Sequence, residues 1–337
     1  MTHPAKFSFS AAPTQLRSVL CATDLADDAP VVLGCAAQLA REHGAELHAV
    51  HVVGGTAMDT LRQWLGTASP AEQSLLDRAR DDLQCALAVA LGDYNVRAHA
   101  IVLAGAVADQ VIATAHRVGA ELLVVGAGPS AHPVRRVALG STADRLLRRG
   151  HRPVLVARDA AQKGPSGTLI TRVLVAVDFS GWSTASLTWA RKVAPHAHMV
   201  LHHAWSVPFE EKLQFAGVDP ATVQAYENTA QVRALSRLHG LASAHGLGPQ
   251  AWTPSLVRGD AALTTTQAAV DAGCSLIVLG KHGQHAAQDL LLGSVTRHVL
   301  AESELDVLVV PQPADPSPAT PSLQQSPGVP DGPAVSA

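Results

Sequence analysis

The chain has 337 residues, with 25 Lys plus Arg against 28 Asp plus Glu, 47% hydrophobic and 4% aromatic residues. It is too apolar for general disorder and has too few rings for a typical single-stranded nucleic-acid binder. Two acids, Asp315 and Asp331, lie in a C-terminal stretch without a basic residue. The remainder is close to neutral, so no global charge calls for DNA or an acidic membrane.

The length favours two domains. The opening segment MTHPAKFSFSAAPTQLR lacks the apolar core of a signal peptide, and no stretch approaches the roughly 18 apolar residues of a membrane span. Cys21, Cys35, Cys85 and Cys274 are scattered with no C-x-x-C pair. They read as free packing thiols in a reducing compartment, so a cytoplasmic location is expected.

In chain order, RSVLCATD ends an apolar run at Asp24, a second run ends at His51-Val52, VLAG ends at Gly105, ELLVVG ends at Gly126, LGS places Gly140-Ser141 before a helix, and PVLVA follows. A Gly/Pro/Ser linker, AAQKGPSGT, separates this unit from a second one. There the predicted strands are RVLVAV, MVLHHAW, AWTPSLV, SLIVLG and DVLVVP, with predicted helices near 183–194, 220–245, 261–272 and 294–303. The two units repeat each other. Asp24 and Asp178, Gly105 and Gly259, and Gly126 and Gly280 are each 154 residues apart, and Gly140-Ser141 and Gly293-Ser294 are 153 apart. Solenoid repeats are far shorter, so these are whole domains.

Nearly continuous hydrophobic strands alternating with helices indicate a parallel sheet covered on both faces. The expected architecture is therefore two tandem open five-stranded α/β sheets. The boundaries are a flexible N-terminus at 1–16, domains at 17–159 and 170–312, a linker at 160–169, and a disordered Pro-rich tail at 313–337, where eight prolines fall within the last 27 residues.

Open α/β sheets bind ligands beyond the carboxyl ends of their strands. In the second unit those ends hold Asp178, Ala204, Gly259 and the segment GKHGQHAAQDLLLGSVT. Gly280 and Gly283 would let backbone approach a ligand, and Gly293-Ser294 opens a helix whose N–H groups and dipole attract anions. Ser294 and Thr296 add hydroxyls. The bland alternative is an ordinary turn followed by Ser294 as an N-cap. A P-loop is excluded, because His282 occupies the Ser/Thr place after Lys281. VVGAGPSA at 124–131 imitates a dinucleotide fingerprint, but Pro133 follows and the next acid after the next strand, Asp159, is about 30 residues away rather than about 20.

Two local clusters need weighing. Arg135, Arg136, Arg145, Arg148, Arg149, Arg152 and Arg158 fall within 24 residues, reading either as an anion or partner surface or as a solvated helix face. His196, His198, His202 and His203 suggest a metal, yet adjacent strand residues face opposite ways, so His202 and His203 do not readily share an ion.

The motif G-x2-G-x9-G-S at Gly280, Gly283, Gly293 and Ser294, with Asp178 ending the first strand and HAW ending the second, resembles the universal stress protein family in its tandem form. The resemblance spans about residues 17–312. It implies the sheet order 3-2-1-4-5 and pairing of the two domains through their fifth strands as an internal pseudo-dimer. It also implies an ATP site, with Mg2+, in which Asp178 contacts the nucleoside, Ala204 reads adenine through backbone, and Gly280, Gly283, Gly293, Ser294, Val295 and Thr296 surround the phosphates; His282, inside that loop, reads either as a phosphate contact or as a surface histidine. In the first unit Asp24, Val52, Gly126, Gly140 and Ser141 match. Pro129 stands where Gly283 does, however, and proline offers no N–H, so that site should be degenerate.

The resulting expectation is a non-enzymatic ATP-binding stress or signalling module with an unknown protein partner, whose pseudo-dimer could pair further as a homodimer. The alternatives are a slow ATP hydrolase, for which only Lys281 and His282 offer proton chemistry, and a nucleotide-free scaffold presenting the arginine cluster.

Overall fold

The computed structural model describes residues 15–54, 63–64, 69–92, 94–128, 139–158, 170–206, 218–283 and 291–311. The first half runs β1 (Ser18–Ala22), α1 (Ala29–His43), β2 (Glu46–Gly54), α2 (Pro70–Leu91), β3 (Ala98–Gly105), α3 (Val107–Arg117), β4 (Leu122–Gly126), α4 (Ser141–Arg149) and β5 (Val154–Ala157). The second repeats it as β6 (Arg172–Ala176), α5 (Gly181–Val193), β7 (His198–Trp205), α6 (Pro220–Ala244), β8 (Trp252–Arg258), α7 (Ala261–Asp271), β9 (Leu276–Gly280), α8 (Ser294–Glu302) and β10 (Asp306–Val310). The predicted strands and helices of the second unit fall on these elements to within two residues.

Helix starts follow local chemistry. Ser69 caps α2 through the Glu72 N–H with Pro70 next to it, Ser180 caps α5, Asp219 caps α6 ahead of Pro220, and Asp260 caps α7 through two N–H groups. By contrast α4 and α8 begin after Gly140 and Gly293 with no side-chain cap.

All ten strands form one sheet in the order β3-β2-β1-β4-β5-β10-β9-β6-β7-β8. Each half has the order 3-2-1-4-5 and is parallel throughout, and β5 meets β10 antiparallel, with Leu155 opposite Leu308. The expected pairing through fifth strands is therefore present within the chain. Successive strand residues feed opposite faces. Val19, Cys21, Leu122, Val124, Leu155 and Leu308 pack under α1, α2, α5 and α6, while Leu20, Leu123, Val125, Val154, Val307 and Val309 pack under α3, α4, α7 and α8. Both cores run across the seam.

Polar contacts reinforce that seam. Lys281 Nζ donates to the Arg148 carbonyl at the end of α4 (2.6 Å), and Arg158 donates to the Leu300 carbonyl near the end of α8. The Arg158 N–H donates to Asp306 Oδ1 (2.8 Å), and His43 Nε2 donates to the Val193 carbonyl (3.0 Å). Both cations sit at helix C-termini, where the dipole favours positive charge.

Three expectations change. Leu16, assigned to the flexible N-terminus, is buried in the core, because the chain enters β1 already under α1 and α2. Cys85 is exposed on α2 and is no packing thiol, whereas Cys21, Cys35 and Cys274 are buried, and burial raises the Cys274 thiol to about 11. The arginine cluster is largely committed to structure: Arg148 pairs with Asp144, Arg149 with Asp109, Arg152 with the Ala120 carbonyl, and Arg158 as above. Arg135, Arg136, Pro129, the linker 160–169, the tail 313–337 and positions 1–14 lie outside the described residues. Among the described residues, no helix is long and apolar enough to cross a membrane.

Leu155 and Leu308 are fully buried and directly opposed. Truncating either to Ala should cost about 2–5 kcal/mol. In a urea-denaturation double-mutant cycle the pair should show a coupling of about 0.5–3 kcal/mol, and independent losses would mean the seam is not packed as described.

Candidate functional site

At the carboxyl ends of β6, β7 and β9 a cleft of about 430 Å³ opens toward the start of α8. The nine second-half residues assigned to the nucleotide site from sequence all line it: Asp178, Ala204, Gly280, His282, Gly283, Gly293, Ser294, Val295 and Thr296, whereas Gly259 does not. Trp182, Ser183, His202 and His203 also line it.

The turn after β6 is built to hold one carboxylate still. Asp178 Oδ1 accepts from the Ser180 N–H (2.9 Å), the Ser180 hydroxyl (2.6 Å) and the Ser183 hydroxyl (2.7 Å). Phe179 between them has φ 62°, a left-handed conformation unusual for a bulky residue, and Leu25 at the equivalent place has the same φ. Such strain costs on the order of 1–3 kcal/mol and persists only where the surroundings enforce it. Here the hydrogen bonds on Asp178 do so.

Two glycines are required sterically. A Cβ on Gly280 would lie 2.7 Å from Trp182 Cβ and 2.9 Å from the His282 carbonyl oxygen. A Cβ on Gly283 would lie 2.9 Å from Asp178 Oδ2, so the loop backbone rests against the carboxylate. The Gly293 N–H donates to the Lys281 carbonyl (3.0 Å), folding the loop back onto the start of α8. Gly293, not Ser294, is the N-cap residue, and α8 opens on the cleft without a side-chain cap. The first N–H groups of a helix lack intrahelical acceptors, which makes this end a place for an anion.

Some side chains do other work than the sequence suggested. The Thr296 hydroxyl donates to the Gly280 carbonyl (2.8 Å), tying β9 to α8 instead of pointing a donor into the cleft. Lys281 is buried and turned away to the other half, so among the described residues no lysine lines the cleft. His282 is buried with its ring edge against Trp182, centroids 5.2 Å apart. His203 Nδ1 donates to the Val177 carbonyl (2.7 Å), leaving Nε2 as acceptor in the neutral ring, while its face meets Phe179 under the Arg237 guanidinium. Burial, with Arg237 nearby, holds the His203 imidazole below its usual value. His202 bonds the Ser255 and Thr264 hydroxyls, so the two histidines have separate partners. No group of three or more metal-ligating side chains is assembled among the described residues.

The first half carries a smaller cleft, about 220 Å³, at the ends of β1, β2 and β4. Asp24, Val52, Gly126, Gly140 and Ser141 all line it. Sequence reading missed two residues there. Gly128, at φ 98°, packs on Gly140, where a Cβ would come within 2.7 Å of backbone. Asp28 stands over Gly126 as Trp182 stands over Gly280, with Oδ2 2.6 Å from where a Cβ would be. The 154-residue offset pairs Asp28 with Trp182, and that signal was available. Its meaning depends on the close approach of β4 to α1.

His202 is fully buried, and burial pushes its imidazole down to about 4. The unfolded chain takes up the proton first, so this histidine's contribution is complete above about pH 6.5 and is lost as pH falls toward 4. The loss amounts to about 3 kcal/mol. Urea midpoints at pH 7 and pH 5 should show the decline, and His202→Gln should flatten it. Gly280→Ala should destabilise by about 1–3 kcal/mol through contact with Trp182, with a shift in tryptophan emission.

Comparison with known proteins follows the same lines. The family model described as the universal stress protein family matches residues 15–158 and again 170–311. A universal stress protein from Archaeoglobus fulgidus DSM 4304 superposes with a TM-score of 0.63 at 19% identity, covering 90% of this chain and 98% of that one. A functionally unknown protein from Pseudomonas aeruginosa PAO1 gives 0.61 at 19% identity, covering 90% and 95%. At such identities these structures share the fold. No curated protein sequence matches the chain. With the family model matched over both halves and the repeated sheet order, the chain belongs to the universal stress protein family as a tandem pair of its domains.

Proposed function

We propose that the second cleft binds an adenine nucleotide, ATP as its Mg2+ complex, and that the protein works as a nucleotide-responsive stress or signalling module in the cytoplasm. One observation carries this reading. A glycine-walled loop, an immobilised carboxylate and an uncapped helix start converge on one cleft, from the ends of β6 and β9, which are far apart in sequence. Phosphates would sit at the N–H groups of Ser294, Val295 and Thr296, and the nucleoside between Asp178 and Ala204, with His203 Nε2 within the same wall to accept an N–H. Asp178 is the sole carboxylate lining the cleft among the described residues, and its Oδ1 already accepts three bonds. Magnesium would therefore be carried by the phosphates themselves.

Binding rather than efficient turnover is favoured by where the reactive groups go. Lys281 is committed to the Arg148 carbonyl, and Asp178 Oδ1 already accepts three hydrogen bonds from its own turn. Partner selection by the nucleotide-bound form is then the mode of action that this site supports.

Titration of nucleotide-stripped protein with Mg-ATP in a calorimeter should give one site per chain. Two sites would show that the first cleft also takes nucleotide, and absence of heat at several temperatures would overturn the proposal. Gly283→Val should abolish binding, since its side chain would be driven against Asp178, while the fold is retained with a loss in urea midpoint comparable to that of Gly280→Ala. Asp178→Ala should weaken ATP and adenosine alike, and a loss confined to phosphate-bearing ligands would contradict its assignment to the nucleoside.

A further inference from the structure

The first cleft differs from the second in chemistry, not only in size. Its floor is six valines, Val32, Val50, Val52, Val107, Val111 and Val125. Its charged lining residues are Asp24 and Asp28, and no Lys, Arg or His side chain lines it among the described residues. Asp28 is half-buried at the N-cap of α1 but makes no capping bond with its side chain. Its carboxylate instead covers Gly126, the strand end over which the second half places the Trp182 ring. Burial, then the neighbouring Asp24, raise the Asp28 carboxyl above its ordinary range, a cost that a ligand bringing positive charge would offset.

A carboxylate accepts and never donates when ionised. Two of them above an apolar floor repel a phosphate where the α4 start alone would attract one. The same arrangement suits an apolar body that ends in an ammonium or a planar amidinium, with charge-assisted bonds to Asp28 and Asp24. We propose that the first cleft is a binding site for a small organic cation, with Asp28 as its specificity-determining residue. The two halves then read ligands of opposite charge. This inference does not need the second cleft to hold nucleotide.

Benzamidine, a planar cation, and benzoate, its anionic counterpart of the same shape, separate charge from size. Hydrogen exchange of the full-length chain would read protection at Gly126–Gly128 and Gly140–Thr142, with Gly280–Gly283 as the internal control for the second cleft. Benzamidine should protect the first two segments and leave the third unchanged, benzoate and AMP should not protect the first two, and Asp28→Asn should weaken benzamidine about tenfold. Equal protection by benzoate or AMP would overturn the proposal, as would benzamidine binding that is indifferent to both Asp28→Asn and Asp24→Asn. So would a lack of protection by benzamidine near its solubility limit. Asp24 is exposed and Asp28 makes no capping bond, so both asparagine variants should fold.

Discussion

The antiparallel contact of β5 with β10 governs where everything else can stand. Each half is parallel within itself, so reversing direction at the seam sends the carboxyl ends of the two halves to opposite edges of one sheet. A crossover helix runs against its strands, and its last turn therefore finishes at the edge where the other half's strands end. That is why Lys281, just past β9, meets the end of α4, and Arg158, just past β5, meets the end of α8. A pair of strands four and five residues long thus sets the positions of two clefts and two cross-seam cations.

The helices involved are the ones whose first turns face the clefts. α8 opens on the second cleft and ends on Arg158, and α4 opens on the first and ends on Lys281. Each dipole is anchored at its negative end by the opposite half, an effect worth up to about 2 kcal/mol in a partly buried setting. The positive end is left without a side-chain cap. Each helix is thus anchored across the seam at one end and opens on a cleft at the other.

Much of this was legible in the sequence, for identifiable reasons. Buried parallel strands are continuous apolar runs, and the recurrence of Asp24 with Asp178 and of Gly126 with Gly280 gave the repeat. The glycine spacing from Gly280 to Gly293 placed the loop and the helix start together. What sequence could not give was direction in space. Lys281 reads as a cleft cation until the seam turns it toward α4. Arg152 and Arg158 read as surface charge until their carbonyl partners are known. Thr296 reads as a ligand donor until the Gly280 carbonyl is found 2.8 Å away.

The two cross-seam anchors bind equivalent helix ends but come from different places: one is a lysine following the fourth strand of its half, the other an arginine following the fifth. Neither half carries both. The molecule is therefore a fused heterodimer in its energetics, although its sheet looks like a doubled homodimer. A free copy of the second half could not supply its own Arg158 contact, nor a free copy of the first its Lys281. Covalent linkage relieved each half of the need to complement itself, and that freedom is what permits Asp28 on one side to stand where Trp182 stands on the other.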